Sequence, residues 1–120
     1  MTLTVPARGE WALALRMAAC GVCAVCDVPV DVMEDLGVAI EESADLLLHQ
    51  GYAAETLTLE CEPGDKGLRV TLSAQGRAPQ TEEHAADPEV ARLIIQTLVR
   101  DVDLERDGDG VRSVRMVLGC

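Results

Sequence analysis

Hydrophobic and polar residues alternate along several short segments of the chain, which is typical of strands with one buried face. In residues 56–62, leucine and cysteine alternate with threonine and glutamate. Residues 68–74 repeat the alternation, and the Pro-Gly-Asp-Lys-Gly turn between the two segments predicts a hairpin. The Asp-Gly-Asp-Gly sequence at positions 107–110 predicts a second hairpin. The predicted strands are residues 2–5, 56–62, 68–74, 101–106 and 111–118.

Two segments before these hairpins carry apolar residues at the spacing of a helix. The first covers residues 11–25 and is apolar on almost every side, because Arg16 is its only charged residue. The second begins near Asp31, where Glu34 completes a capping-box pattern, and ends near Gly51. A helix packed on a sheet needs an apolar stripe on one side only, so the first helix is apolar over more surface than a sheet contact requires.

A third helix opens at Pro88, after a polar loop over residues 76–87, and runs to about residue 100. Its predicted inner face consists of Val90, Leu93, Ile94, Thr97 and Leu98. The resulting order is β-α-α-β-β-α-β-β. Strands joined by hairpins, with helices on one side, predict a two-layer α/β sandwich. We expect a mixed, mainly antiparallel sheet covered on one face by helices, in a single domain over residues 1–120.

Charge and aromatic content exclude some classes of function. The chain has 120 residues, of which 21 are acidic and 10 are basic, so its net charge is -11. Direct nucleic-acid binding is not expected, because phosphate contacts require clustered lysine and arginine. One tryptophan, one tyrosine and no phenylalanine leave no aromatic platform for stacking bases. A basic protein surface suits this charge better.

Three of the five cysteines, Cys20, Cys23 and Cys26, lie in the apolar run of the first predicted helix. An odd number of cysteines is typical of a reduced, cytoplasmic protein, and the run is too short to cross a membrane. It could imitate the apolar part of a signal peptide, but Glu10 and Pro6 just before it argue against that interpretation. The three thiols would drift along one helix face without enclosing a metal, so we expect packing and no metal site. A redox or metal sensor stays an alternative.

One stretch of the second helix points to a family. Positions 34–44 have the sequence Glu-Asp-Leu-Gly-Val-Ala-Ile-Glu-Glu-Ser-Ala, and positions 49–52 have His-Gln-Gly-Tyr. They resemble the anti-sigma factor serine kinases, which belong to the superfamily of histidine-kinase-type and Hsp90-type ATPases. Residues 97–102 resemble the last helix of that family and its exit into a strand. The resemblance extends from residue 2 to residue 118.

The family's second helix carries Glu-x-x-x-Asn, in which the glutamate is a base and the asparagine holds Mg²⁺ against the nucleotide. Glu42 matches the base position, so that Leu46 occupies the asparagine position. A leucine cannot bind a cation that requires oxygen ligands. No shift of the alignment restores the ligand, because the chain contains no asparagine.

Two further motifs of the family are also altered. The Asp-x-Gly motif that receives adenine is matched by Ala74, Gln75 and Gly76, which keep the glycine and lose the aspartate. The Gly-x-Gly turn that cradles phosphate is matched by Glu89 and Ala91, which place a carboxylate where phosphate would approach. We therefore expect no nucleotide cofactor and neither ATPase nor kinase activity.

The resemblance implies a regulatory protein-binding domain that sequesters a sigma factor or an anti-sigma antagonist. Family members present the first helix to partners and carry an arginine at the position that matches Arg16. We therefore predict that Trp11, Leu13 and Arg16 contribute to a surface for a partner or for a homodimer. The wide apolar stripe predicted for this helix consists of Trp11, Leu13, Leu15, Met17, Val22 and Val25. An active ATP-dependent serine kinase with a diverged site is the alternative within the family.

Overall fold

Five strands form one sheet, and each arises from a segment in which hydrophobic and polar residues alternate. The computed structural model of the protein describes residues 1–65, 67–82 and 84–119. The order of the strands across the sheet is β1-β2-β3-β5-β4, and all four pairings are antiparallel. The strands are β1 (Thr2–Pro6), β2 (Thr56–Gly64), β3 (Gly67–Gln75), β4 (Asp101–Asp107) and β5 (Gly110–Leu118).

Three helices cover one face of this sheet. They are α1 (Ala12–Val25), α2 (Val30–Leu48) and α3 (Pro88–Gln96), and a short 3-10 turn, Gly9–Trp11, leads into α1. α1 lies over β1 and β2, α2 over β3 and β5, and α3 over β4, while α2 also packs against both other helices. The predicted order of elements and the two-layer α/β sandwich are confirmed. The strands pair only in the antiparallel sense within the described residues.

The core lies between the two layers. Leu59 of β2 and Val114 of β5 both neighbour Leu72 of β3, and all three side chains are fully buried. The helices contribute fully buried leucines, among them Leu15 and Leu36. Because side chains alternate between the two faces of a strand, this pairing turns the polar residues of the same strands to the opposite, open face. The turn between β2 and β3 contains Lys66, which lies outside the described residues.

Three sequence predictions about helices are wrong: the capping box of α2, the end of α3 and the inner face of α3. α2 begins at Val30 after Pro29, without a side-chain cap, so Asp31 lies in its first turn rather than in a capping box. There its carboxylate still interacts favourably with the helix dipole. α3 ends at Gln96, earlier than predicted, and it buries Ala91 and Ile95.

The predicted inner face of α3 is therefore rotated by about one residue. Val90, Leu93 and Ile94 are exposed instead of buried. Both sets of residues follow helical spacing, so the sequence pattern admits either face. α3 packs against both α2 and β4, and the face that it buries there carries the small side chain of Ala91. Within the described residues, no helix combines the length and the apolar character needed to cross a membrane.

Candidate functional site

A cleft between α2 and α3 brings together three of the positions singled out by the family resemblance. Glu42 and Leu46 lie one helical turn apart on α2, and Ala91 faces them from α3. Leu46 and Ala91 are buried, whereas Glu42 is half-buried. The volume of the cleft is about 180 Å³. It is lined by Glu42, Asp45, Leu46, Ala86, Asp87, Val90, Ala91 and Ile94.

The remaining matched positions lie elsewhere. Ala74 lies at the end of β3 and Gly76 directly follows this strand, and both line a second, separate cleft of about 340 Å³. Its other walls are Gln75, Arg77, Asp107 and Arg112. Gly76 has a φ of +142°, and a Cβ at this position would collide with the carbonyl oxygen of Ala53. A close backbone contact thus requires this glycine, whatever its role in a nucleotide site.

Gln50 and Tyr52 lie between the two clefts. The Gln50 side-chain nitrogen donates to the carbonyl oxygens of Leu46 at 2.9 Å and Ala86 at 3.4 Å, both of which belong to residues lining the α2–α3 cleft. Its side-chain oxygen accepts from the Val111 N–H at 3.0 Å, beside the second cleft. Gln50 is buried, and Tyr52 is fully buried. The matched positions therefore do not share one cavity.

Arg112 closes the second cleft from β5. Its guanidinium lies 3.7 Å from the centre of the Tyr52 ring, and the Tyr52 hydroxyl donates to the Val111 carbonyl oxygen. Burial raises the pKa of the Tyr52 hydroxyl. The Arg112 Nε donates to Asp107 Oδ2 at 2.7 Å, and the Asp109 N–H donates to Asp107 Oδ1 at 2.8 Å. These two contacts lower the pKa of Asp107, the bond from the Asp109 backbone having the larger effect.

The polar loop before α3 is tied to the segment that follows α2. Backbone N–H groups of Ala53, Gln80 and Ala86 donate to the carbonyl oxygens of Ala78, Gly51 and His49, at 2.8, 3.2 and 3.0 Å. These bonds hold the loop against the segment that contains Gln50 and Tyr52.

Glu89 lies in the first turn of α3 and is exposed. Its Oε1 pairs with Arg106 Nη2 at 3.1 Å, and its Oε2 lies 3.9 Å from Arg92 Nε. The N-terminus of α3 is capped by Asp87, which accepts from the Glu89 N–H at 2.9 Å. Two carboxylates thus occupy a helix N-terminus of the kind that elsewhere binds phosphate, and they would repel an anion.

The predicted partner-binding residues lie on or before α1, in three different environments. Trp11 is exposed in the 3-10 turn. Arg16 reaches over Gly37 of α2, and its Nη1 pairs with Glu41 Oε1 at 3.0 Å. Leu13 is exposed. Leu15, predicted to be part of a wide apolar stripe, is fully buried in the core together with Ala19 and Cys23.

The exposed side of α1 is a continuous row of uncharged residues. They recur at intervals of three or four, which places them on one helix face. We call this row the α1 stripe, and it consists of Leu13, Met17, Gly21, Ala24 and Val25.

Cys20 and Cys23 of α1, and Cys26 directly after this helix, lie at the boundary between the helix and the core. Cys23 is buried, and Cys20 and Cys26 are half-buried. Cys61 of β2 is also buried, and burial raises the pKa of its thiol to about 11. Cys120 lies outside the described residues. Among the described residues, no three or more histidine, cysteine, aspartate or glutamate side chains are grouped so that they could hold a metal ion.

Sequence reasoning missed Gln50 and Arg112. Neither belongs to a motif with a recognised chemical role, and their partners are distant in the chain, as for Gln50 and Val111. The exposure of Val90 and Ile94 was missed because the helical pattern of α3 fits two faces. No known protein-family model matches this chain, and no curated protein sequence matches it.

Proposed function

We propose that this chain is a regulatory protein-binding domain, similar to anti-sigma factors, that sequesters a sigma factor or a regulator of one. The observation that carries the proposal is the α1 stripe. It is the outer face of a helix whose inner face is already buried, and neither the sheet nor α2 covers it. Contiguous exposed apolar surface of this kind marks interaction sites.

The chemistry of α1 supports binding to a protein surface. Arg16 is its only charged residue, and the pair that Arg16 forms with Glu41 of α2 draws this charge away from the stripe. An interface core is depleted of charged residues and enriched in large apolar ones, a description that fits Leu13 and Met17. The net charge of -11 favours a partner with a basic surface.

The α2–α3 cleft gives no support to nucleotide chemistry. Its volume of about 180 Å³ is below the roughly 300–1,000 Å³ typical of small-molecule sites. Leu46 offers no oxygen to Mg²⁺, and Asp87 and Glu89 occupy the helix end that a phosphate would need. We propose that the domain acts by binding, in the cytoplasm, where the cysteines remain reduced.

The binding proposal is tested with a charge placed on the α1 stripe and a matched control. Leu13 is 62% exposed and Leu93 of α3 is 63% exposed, so Leu13→Glu and Leu93→Glu make the same change at the same exposure on different helices. Each variant and the wild type are used as bait in a lysate of the native cell, and the captured proteins are identified by mass spectrometry. Circular dichroism checks that each bait is folded.

We expect the wild type and Leu93→Glu to retain a sigma factor or an anti-sigma antagonist. Leu13→Glu should weaken this binding at least tenfold, as substitutions at the centre of an interface typically do. If folded Leu13→Glu keeps the same partner with unchanged affinity, the α1 stripe is not the interface. Capture of neither class of protein by the wild type would contradict the anti-sigma proposal.

A calorimetric titration with ATP and Mg²⁺ tests the absence of nucleotide chemistry. No binding heat is expected at millimolar nucleotide. A micromolar isotherm would instead favour the alternative of an active kinase with a diverged site.

A further inference from the structure

The α2–α3 cleft combines apolar walls with an acidic rim. Leu46 and Ala91 form its floor, and Val90 and Ile94 form the wall on the α3 side. The rim of the opening consists of the carboxylates of Glu42, Asp45 and Asp87. The cleft is a different surface from the α1 stripe. A role for this cleft in binding deepens the proposed function and rests on one part of it, that the domain binds other proteins.

Within the described part of the chain, the rim carboxylates have no lysine or arginine partner. Among the described residues, neither Glu42, Asp45 nor Asp87 forms an ion pair with a lysine or arginine, whereas the neighbouring Glu41 pairs with Arg16. Asp45 lies 3.4 Å from the Nδ1 of His49, and Asp87 accepts a backbone N–H of α3. An opening with several carboxylates and no fixed cation attracts a positive group.

The size of the cleft limits what that positive group can be. About 180 Å³ is slightly more than the roughly 150 Å³ of a protein cavity that holds one benzene molecule. The cleft therefore has room for one large side chain. An apolar floor beneath a charged rim suits an amphipathic side chain, which buries its aliphatic stem and keeps its charged end at the surface.

We propose that the α2–α3 cleft binds an arginine side chain carried by an apolar segment of a partner protein. The aliphatic stem packs against Ile94, and the guanidinium pairs with Glu42 and Asp45. The apolar neighbours of this arginine cover the exposed side chain of Val90. Arginine suits the site better than lysine, because its guanidinium is less strongly hydrated and donates several hydrogen bonds in one plane.

The probe for this inference is the short peptide N-acetyl-Leu-Arg-Leu-amide, titrated into ¹⁵N-labelled full-length protein and followed by NMR. Its matched control carries citrulline in place of arginine, which keeps the shape of the side chain and removes its charge. We expect the arginine peptide to shift the amide signals of α2 near Leu46 and of α3 near Ala91. The citrulline peptide should bind at least tenfold more weakly.

Variants of the rim test whether the charges of the cleft itself are responsible. The double variant Glu42→Gln, Asp45→Asn should weaken binding of the arginine peptide about tenfold or more. The control, Glu34→Gln with Asp35→Asn, removes two exposed carboxylates from the same helix outside the cleft and should leave the affinity within about twofold. Circular dichroism checks the folding of both variants.

Several results would overturn the inference. They are equal binding of the citrulline peptide, equal weakening by the two double variants, and signal shifts confined to residues outside the cleft. Leu13→Glu, on the α1 stripe, should leave peptide binding unchanged. If the peptide does not bind while Leu13→Glu still releases the protein partner, the cleft inference fails and the proposed function stands. If the peptide binds but Leu13→Glu does not release the protein partner, the cleft inference stands and the α1 stripe is not the interface.

Discussion

Replacing Gln50 with leucine tests whether this buried side chain holds the wall between the two clefts. Gln50→Leu keeps a side chain of similar size and removes both the amide oxygen and the amide nitrogen. The amide oxygen is the acceptor for the Val111 N–H at 3.0 Å, and the nitrogen donates to Leu46, His49 and Ala86. The variant therefore disconnects the end of α2 from β5 and from the loop before α3.

The size of the effect follows from which groups lose every partner. The Leu46 and His49 carbonyl oxygens keep backbone donors, the His49 N–H at 3.3 Å and the Ala86 N–H at 3.0 Å. The buried N–H of Val111 loses the acceptor that Gln50 supplies, and an unsatisfied buried donor costs about 1–3 kcal/mol. We therefore expect Gln50→Leu to lower the free energy of unfolding by about 2 kcal/mol. In a domain of this size, that corresponds to a fall in Tm of roughly 6–10 °C.

Urea denaturation followed by circular dichroism measures this loss, and the slope against urea should stay unchanged. The matched control is Gln96→Leu at the exposed end of α3, which should change stability by less than about 0.5 kcal/mol. If Gln50→Leu is no less stable than Gln96→Leu, the hydrogen bonds of Gln50 contribute nothing and the reasoning about this wall is wrong.

Three further predictions concern charge, pH and metal. Arg16→Glu should destabilise the fold by about 1 kcal/mol in thermal unfolding, because it replaces a partly exposed ion pair with Glu41 by a repulsion. The control Arg8→Glu, at an exposed position, should change the stability little. Equal destabilisation by the two variants would contradict a stabilising role for the Arg16–Glu41 pair. Folding stability should fall by about 2 kcal/mol as the pH rises from 9 to 11, because the unfolded Cys61 thiol loses its proton near its ordinary value while the folded pKa is about 11. In urea denaturation at several pH values, Cys61→Ala should reduce this loss of stability. If the variant loses as much stability with rising pH as the wild type, Cys61 is not the source of the loss. Elemental analysis of protein purified without chelator should find well under one zinc or iron per chain, whereas near-full occupancy that disappears in Cys23→Ser would contradict the prediction.

The strands and both hairpins could be predicted because their signals are local. The alternation in residues 56–62 and 68–74 survives in β2 and β3 with the expected residues buried, since a strand's two faces follow directly from its period of two. The start of α2 was predicted to within one residue, near Asp31, but its cap was not. Asp31 and Glu34 match a capping pattern, but the helix already begins at Val30.

The face of α3 illustrates a second limit. Val90 and Ile94 are spaced like Ala91 and Ile95, so helical periodicity alone ranks the two pairs equally and hydrophobicity favours the wrong one. The contact with α2 and β4 decides in favour of Ala91 and Ile95, and it leaves Val90 and Ile94 on the wall of the cleft. The α2–α3 cleft, with its apolar walls and acidic rim, therefore depends on a choice of helix face that the sequence left open.

The sequence by itself determined the order of elements, the α/β class and the identity of Leu46, which offers no oxygen to Mg²⁺. Those features follow from neighbouring residues or from residue identity alone. Only the tertiary structure decided that Leu46 and Gly76 line different clefts and that Arg16 is paired with Glu41. The physical reason is that these outcomes depend on hydrogen bonds and contacts between distant parts of the chain, such as the bond from Val111 to Gln50, and no local pattern encodes them.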